Sequence, residues 1–175
     1  VINIEIPFNK DIYTEQSKLH FDTAWAKNLK TNRTNKIISI VTTLLGILIL
    51  VGKNNVGGIL FMIGWFGFYL VYRTNTSYKQ NKKKYFEAIS NEIKSREIAS
   101  DYPIWELHDD YFHYKDYQHD LNFKWPAIVK YTRIDETIFV DSKLGIRFML
   151  SEKEVGKEKF EEIIVFLDRK IIPIS

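Results

Sequence analysis

Two uncharged, apolar runs stand back to back in the first half of the chain. Ile37 to Gly52 is sixteen residues without a charge, eleven of them Ile, Leu or Val. Val56 to Tyr72 is seventeen more, and only Lys53-Asn54-Asn55 parts the two. As helices, runs of this length reach roughly 24–26 Å, against about 30 Å of bilayer hydrocarbon. Flanking residues or slight bilayer thinning cover the shortfall. Each central Leu, Ile or Val favours insertion by about 0.3–0.6 kcal/mol, so the first run gains roughly 3–6 kcal/mol. Ser39, Thr42 and Thr43 subtract little, because their hydroxyls bond to carbonyls of the preceding turn. Two adjacent runs of this kind exceed what a small soluble core needs. They predict a transmembrane helical hairpin rather than a buried helical pair.

The flanks give the hairpin a direction. Lys27, Lys30, Arg33 and Lys36 precede it; Arg73, Lys79, Lys82, Lys83 and Lys84 follow it; the tip has only Lys53. By the positive-inside rule both flanks face the cytoplasm, with the lysine cluster at the surface of an anionic leaflet. No Asp, Glu, His, Lys or Arg lies within either run, which argues for an anchor rather than an ion pathway. Gly46, Gly57, Gly64 and Gly67 predict close helix packing, either within the hairpin or in a homodimer seam.

Charge divides the chain. Residues 1–100 carry 14 Lys/Arg and 7 Asp/Glu, a net +7; residues 101–175 carry 11 and 15, a net −4. There is no cysteine, which excludes disulfides and thiolate chemistry. The opening Val1-Ile2-Asn3-Ile4-Glu5 predicts no N-terminal signal peptide. Asn3 to Pro7 alternates like a strand. Asp11 to about Lys30 reads as a helix whose Phe21, Trp25 and Leu29 stripe is expected to lie along the membrane or against the folded domain, the acids on its opposite face favouring the latter. Ser77 to about Arg96 reads as a further helix.

From Pro103 the period changes to short alternating runs. Ile104–His108 and Tyr111–Lys115 flank Asp109-Asp110, a two-residue hairpin turn. Strands are also predicted at Leu121–Trp125, Ile128–Ile134, Thr137–Val140 and Ile146–Leu150, with a tight turn at Gly145. Ser151 to Glu154 has capping-box spacing. Phe160, Ile163, Ile164, Leu167 and Ile171 follow on one helical face, and Pro173 is expected to end that helix. The fold class is α+β: a helical hairpin placed before a small antiparallel sheet or partial barrel closed by a C-terminal helix. The expected divisions are 1–36 (strand and helix), 37–72 (hairpin, spans 37–52 and 56–72), 73–100 (basic linker) and 101–175 (folded domain).

The order of these pieces resembles the YcxB-like membrane proteins. The resemblance rests on Ile4-Glu5-Ile6-Pro7, the helix and two spans, the basic linker, Trp105-Glu106-Leu107-His108-Asp109-Asp110-Tyr111-Phe112, Leu121 to Ile134 with Trp125 before Ile128, and a final helix at Lys159–Lys170. It covers nearly the whole chain. Pro126, directly after Trp125, departs from the family pattern and marks an edge or bulge. The resemblance implies a pleckstrin-homology-like domain at a bacterial plasma membrane, with both termini cytoplasmic and no catalytic residue carried over.

His108, Asp109, Asp110, His113, Asp116, His119 and Asp120 are dense in potential ligands, but no metal motif or activated nucleophile accompanies them. They read as a solvated turn, so neither a catalytic nor a metal site is expected, nor any cofactor. Trp105, Trp125 and Tyr131 are candidate interaction anchors. A short basic cluster beside a membrane and an acidic domain argue against nucleic acid. The expected partners are the bilayer and a protein. The leading function is a non-catalytic, membrane-anchored binding module; the alternative is an immunity or regulatory protein that neutralises a toxin or membrane partner.

Overall fold

The computed structural model describes residues 1–99 and 102–171. The chain is α+β, and it divides into two compact units: Val1–Lys18 with Ile89–Ser175, and Leu19–Ala88. The divisions fall inside the two long helices, α1 (Lys10–Val51) and α2 (Val56–Ala99), rather than at the ends of the uncharged runs. The helices expected at 11–30 and 37–52 are one, and so are those at 56–72 and 77–96.

In the helical unit the two helices run antiparallel in a steady register. Gly46 faces Gly57 and Phe61, Thr43 faces Gly64, and Ser39 faces Gly67. Asn32 Nδ2 donates to Asn75 Oδ1 at 2.8 Å. The rings of Trp25 and Tyr78 lie 5.4 Å apart, and Phe21 packs on Tyr78, Tyr85 and Phe86. The Phe21–Trp25 stripe therefore faces the neighbouring helix, not the folded domain, because a second aromatic stripe meets it there. Buried positions recur every seven residues, at Asn32, Ser39 and Gly46 on one helix and at Gly57, Gly64 and Val71 on the other. That is a coiled-coil seam built from small and polar residues. A Cβ on Gly57 would lie 2.5 Å from Leu50 N and 2.6 Å from Gly46 O. Gly46, Gly57, Gly64 and Gly67 thus serve close packing within the hairpin. At the tip, Lys53 takes a left-handed φ of 58° and Asn54 Oδ1 caps Val56 N at 3.0 Å.

The large apolar side chains of the hairpin point outward. Leu48 and Met62 are each 68% exposed and Trp65 is 65% exposed. Both helices are long and apolar enough to cross a membrane, and only 11% and 17% of their most apolar stretches are buried. A core helix of a soluble protein would show the reverse. At about 1.5 Å per residue, Leu19–Val51 spans roughly 50 Å, so each helix runs well beyond the hydrocarbon.

The α/β unit has seven antiparallel strands. β1 (Ile2–Glu5), β2 (Ile104–Leu107), β3 (Tyr111–Lys115) and β4 (Asp120–Lys124) form one sheet in that order. β5 (Ile128–Ile134), β6 (Thr137–Ser142) and β7 (Arg147–Ser151) form the second. β1 pairs directly with β2, and Ile6 N donates to Pro103 O at 2.8 Å, so the helical pair is an insertion between neighbouring strands. The predicted Asp109-Asp110 turn joins β2 to β3, with His108 N donating to Tyr111 O at 2.9 Å. Gly145, at φ 78°, makes the expected tight turn before β7.

Trp125 leaves its predicted strand. Trp125–Ala127 is a 3-10 turn with Pro126 in its first positions, the corner where the chain passes from one sheet to the other. Proline suits that place because the first N–H groups of a helical turn have no internal partner. The Ser151–Glu154 capping box forms, but on the single turn α3 (Glu152–Val155). Gly156, at φ 80°, then resets the chain into α4 (Lys157–Lys170). The helix end expected at Pro173 lies outside the described residues. One core joins both sheets and α4: Trp105, Leu107, Phe112, Ile138, Leu150, Phe160 and Ile163 are all at most 1% exposed.

Candidate functional site

The α/β unit holds a cleft of 340 Å³. Ile6, Trp105, Leu121 and Phe148 give it an apolar floor, and Arg96, Asp116, Arg147 and Glu154 line its polar wall. Arg96 comes from the last turns of α2, Asp116 from the β3–β4 turn, and Arg147 from the start of β7. Tyr13 and Gln16 come from the first turns of α1.

Arg96 is the organising residue. Its guanidinium lies 2.9 Å from Glu92 Oε1, one helical turn back, and 3.5 Å from Asp116 Oδ2. Its carbon sits 5.1 Å from the Tyr13 ring, 5.7 Å from Tyr117 and 5.9 Å from Phe8, within cation–π range of all three. Asp116 is itself nearly saturated. Tyr114 OH donates to Oδ2 at 2.7 Å, and Gln118 N and His119 N donate to Oδ1 at 2.9 and 2.7 Å. Desolvation works to raise the Asp116 pKa, but these donors and Arg96 outweigh it and hold the carboxyl below its ordinary value. Burial pushes the Tyr114 phenol up, with Asp116 as its acceptor adding to the shift.

Glu154 behaves differently. Desolvation lifts its pKa despite bonds from Ser151 N at 2.7 Å and Gln16 Nε2 at 2.6 Å. Arg147 forks onto Asp141, its cross-strand neighbour, through Nε and Nη2. Both arginines are thus neutralised by protein carboxylates before any ligand arrives.

Of the predicted site residues only Trp105 reaches the cleft, as part of its floor. Trp105 and Trp125 are core residues, 1% and 8% exposed. Trp105 packs on Phe112 and Phe148, and Trp125 Nε1 donates to His108 O at 3.0 Å. Tyr131 is half-buried and donates to Asp168; burial first, then that acceptor, pushes its phenol up to about 12. Lys27, Lys30, Arg33, Lys36, Arg73, Lys79, Lys82, Lys83 and Lys84 are all exposed on the two helices.

The His/Asp-rich segment splits in two. Asp116 and His119 belong to the cleft. His108, His113 and Asp120 join Glu106 on the face of the four-stranded sheet. Glu106 Oε2 lies 3.2 Å from His108 Nε2 and 2.9 Å from His113 Nδ1, while His113 Nε2 meets Asp120 Oδ1 at 2.7 Å. Among the described residues no group of three or more ligating side chains is placed to hold a metal. Sequence reasoning passed over Arg96, Tyr13, Gln16 and Glu154. Arg96 reads as an ordinary helix-end cation, and its partner Asp116 stands 20 positions away on another element.

No protein-family model, curated protein or solved structure matches the chain.

Proposed function

We propose that the chain is a non-catalytic binding module, YcxB-like, anchored in a plasma membrane by the 37–72 hairpin with both flanks cytoplasmic. Its α/β unit, read as pleckstrin-homology-like, takes an apolar segment of a partner protein in the Arg96 cleft. The outward-facing apolar surface of the hairpin carries the anchoring. Leu48, Met62, Trp65 and their neighbours form an exposed patch that water would not tolerate. The basic flanks support the orientation, since no acid stands between Asp22 and Glu87. Consecutive antiparallel strands in two sheets, with α4 in their shared core, support the fold reading.

The chemistry of the cleft supports the ligand class. Its floor is apolar, and Arg96 and Arg147 already carry carboxylate partners, so a phosphate would have to displace them. A neutral peptide with an apolar side chain fits without that cost.

The absence of cysteine makes the topology directly testable. Cysteine at Asn55 should label with an impermeant maleimide on intact cells, and cysteine at Asp110 only after permeabilisation. The reverse pattern sinks the orientation. For the ligand, peptides displayed against the full chain in nanodiscs should be enriched, and Leu121→Trp, which fills the cleft floor, should abolish their binding. Enrichment indifferent to Leu121→Trp would place binding elsewhere.

A further inference from the structure

Where the two helices leave the uncharged runs, they line an open niche of 400 Å³. Trp25, Lys27, Asn28, Asn35, Arg73 and Ser77 line it. We propose that this niche binds the headgroup of an anionic phospholipid. Four observations converge on that chemistry.

The first is charge. Lys27 and Arg73 line the niche without a carboxylate partner among the described residues, and the nearest acids in sequence are Asp22 and Glu87. The second is hydrogen-bonding capacity. Among the described residues the side chains of Asn28, Thr31, Asn35 and Ser77 have no hydrogen-bond partner, so their donors are open to a ligand. An arginine fork beside neutral amides and hydroxyls suits a phosphodiester. Asn32, another lining residue, is buried and tied to Asn75 at 2.8 Å, which fixes the helices side by side at this level.

The third is depth. Asn35 stands two residues before Ile37, and Arg73 directly follows Tyr72. At about 1.5 Å per residue, Asn35 to Lys27 covers roughly 3–15 Å beyond the uncharged run, which takes in the headgroup layer of about 5–7 Å. The fourth separates a lipid from free phosphate. A 220 Å³ groove lined by Ile38, Thr42, Phe66 and Leu70 lies in the uncharged run and shares Asn35 and Leu70 with the niche. A headgroup in the niche thus has an apolar channel beside it for its acyl chain.

The test is native mass spectrometry of the full chain ejected from nanodiscs containing phosphatidylcholine and phosphatidylglycerol. One phosphatidylglycerol per chain should be retained in preference to phosphatidylcholine. Removing the niche charges together (Lys27→Ala with Arg73→Ala) should weaken retention about tenfold or more, the scale of lost charge-assisted bonds. Lys79→Ala with Lys83→Ala removes the same charge outside the niche and should change retention less than about twofold. Ile38→Trp, which fills the apolar groove, should weaken retention with all charges intact. Equal losses from the two double variants would reduce the effect to general surface attraction and overturn the site. So would equal retention of the two lipids, or displacement of the lipid by excess inorganic phosphate. Melting of each variant in pure phosphatidylcholine nanodiscs, expected unchanged, separates lost binding from lost folding.

Discussion

The two units solve opposite problems with the same twenty side chains. The α/β unit puts its aromatic and branched residues inside, with Trp105, Phe112, Phe160 and Ile163 almost wholly buried. Along its uncharged runs the helical unit puts most of them outside, and it keeps Asn32, Ser39, Gly46, Gly57 and Gly64 within. The difference reports the solvent each unit expects. In water, apolar area is worth about 25 cal/mol per Å² when hidden, so size goes to the core. In lipid nothing is gained by hiding Leu from its own kind. Helix association then rests on close backbone approach and polar pairs.

The strongest way to break that contrast is to truncate one large residue in each unit. Trp105→Ala should cost the α/β unit about 3–5 kcal/mol, from lost burial plus the cavity left among Phe112 and Phe148. Hydrogen exchange followed by mass spectrometry should show β2, β3 and β7 losing protection. Trp65→Ala, equally large but 65% exposed on the hairpin, should leave exchange throughout residues 39–71 nearly unchanged in nanodiscs. Comparable losses from both would mean that Trp65 is covered in the native protein and that the outward face is not lipid-facing.

The reverse experiment enlarges a small residue. Gly57→Ile drives side-chain atoms into Leu50 N and Gly46 O, backbone that has nowhere to move. Overpacking of this kind costs about 1–3 kcal/mol or more. The hairpin should splay, read as lost proximity between spin labels at Asn35 and Thr74. Gly58→Ile, whose nearest contact would be Leu50 Cδ2 at 3.9 Å, is the matched control and should be silent.

These contrasts also explain what was legible in the sequence. The outward face of the hairpin was legible because insertion into lipid depends on summed apolarity, which composition carries. The strands were legible because alternation of buried and exposed side chains is local. The seam was legible only at its glycines, Gly46, Gly57, Gly64 and Gly67, because a search for apolar periodicity skips Asn32 and Ser39. The burial of Trp105 and Trp125 was not legible for a related reason. Their size marks them equally as core or contact, and only the partners Phe112, Phe148 and Phe166 decide it. The cleft was least legible of all. Arg96 and Asp116 acquire meaning only once the helix end and the β3–β4 turn meet.

A polar pair inside the helical seam offers a finer test. Asn32→Leu leaves Asn75 without its partner and should cost about 1–2 kcal/mol, whereas Asn32→Leu with Asn75→Leu should recover most of the loss. A double variant as poor as the single would mean that the asparagines serve something other than each other.

The smallest effect is expected on the exposed face of the α/β unit. Both ring nitrogens of His113 point at carboxylates, Glu106 and Asp120, an arrangement that favours the protonated ring. Desolvation works to lower its pKa, but the bonds to Glu106 and then Asp120 prevail and hold it above 6.5. Glu106 is held below 4.5, by His113 first and His108 second. A raised histidine contributes its full stabilisation below the unfolded value and loses it as pH rises through the folded one. A depressed carboxylate contributes above its unfolded value and loses it as pH falls through the folded one. The network is therefore intact between about pH 4.5 and 6.5 and weakens on either side. Exposed ion pairs of this kind are worth about 0.2–1 kcal/mol, a shift of a few degrees in melting. His113→Gln should flatten the alkaline limb of melting temperature against pH while the hairpin stays unaffected, since no Asp, Glu, His, Lys or Arg lies within its uncharged runs. An unchanged alkaline limb would assign the pH dependence to groups other than His113.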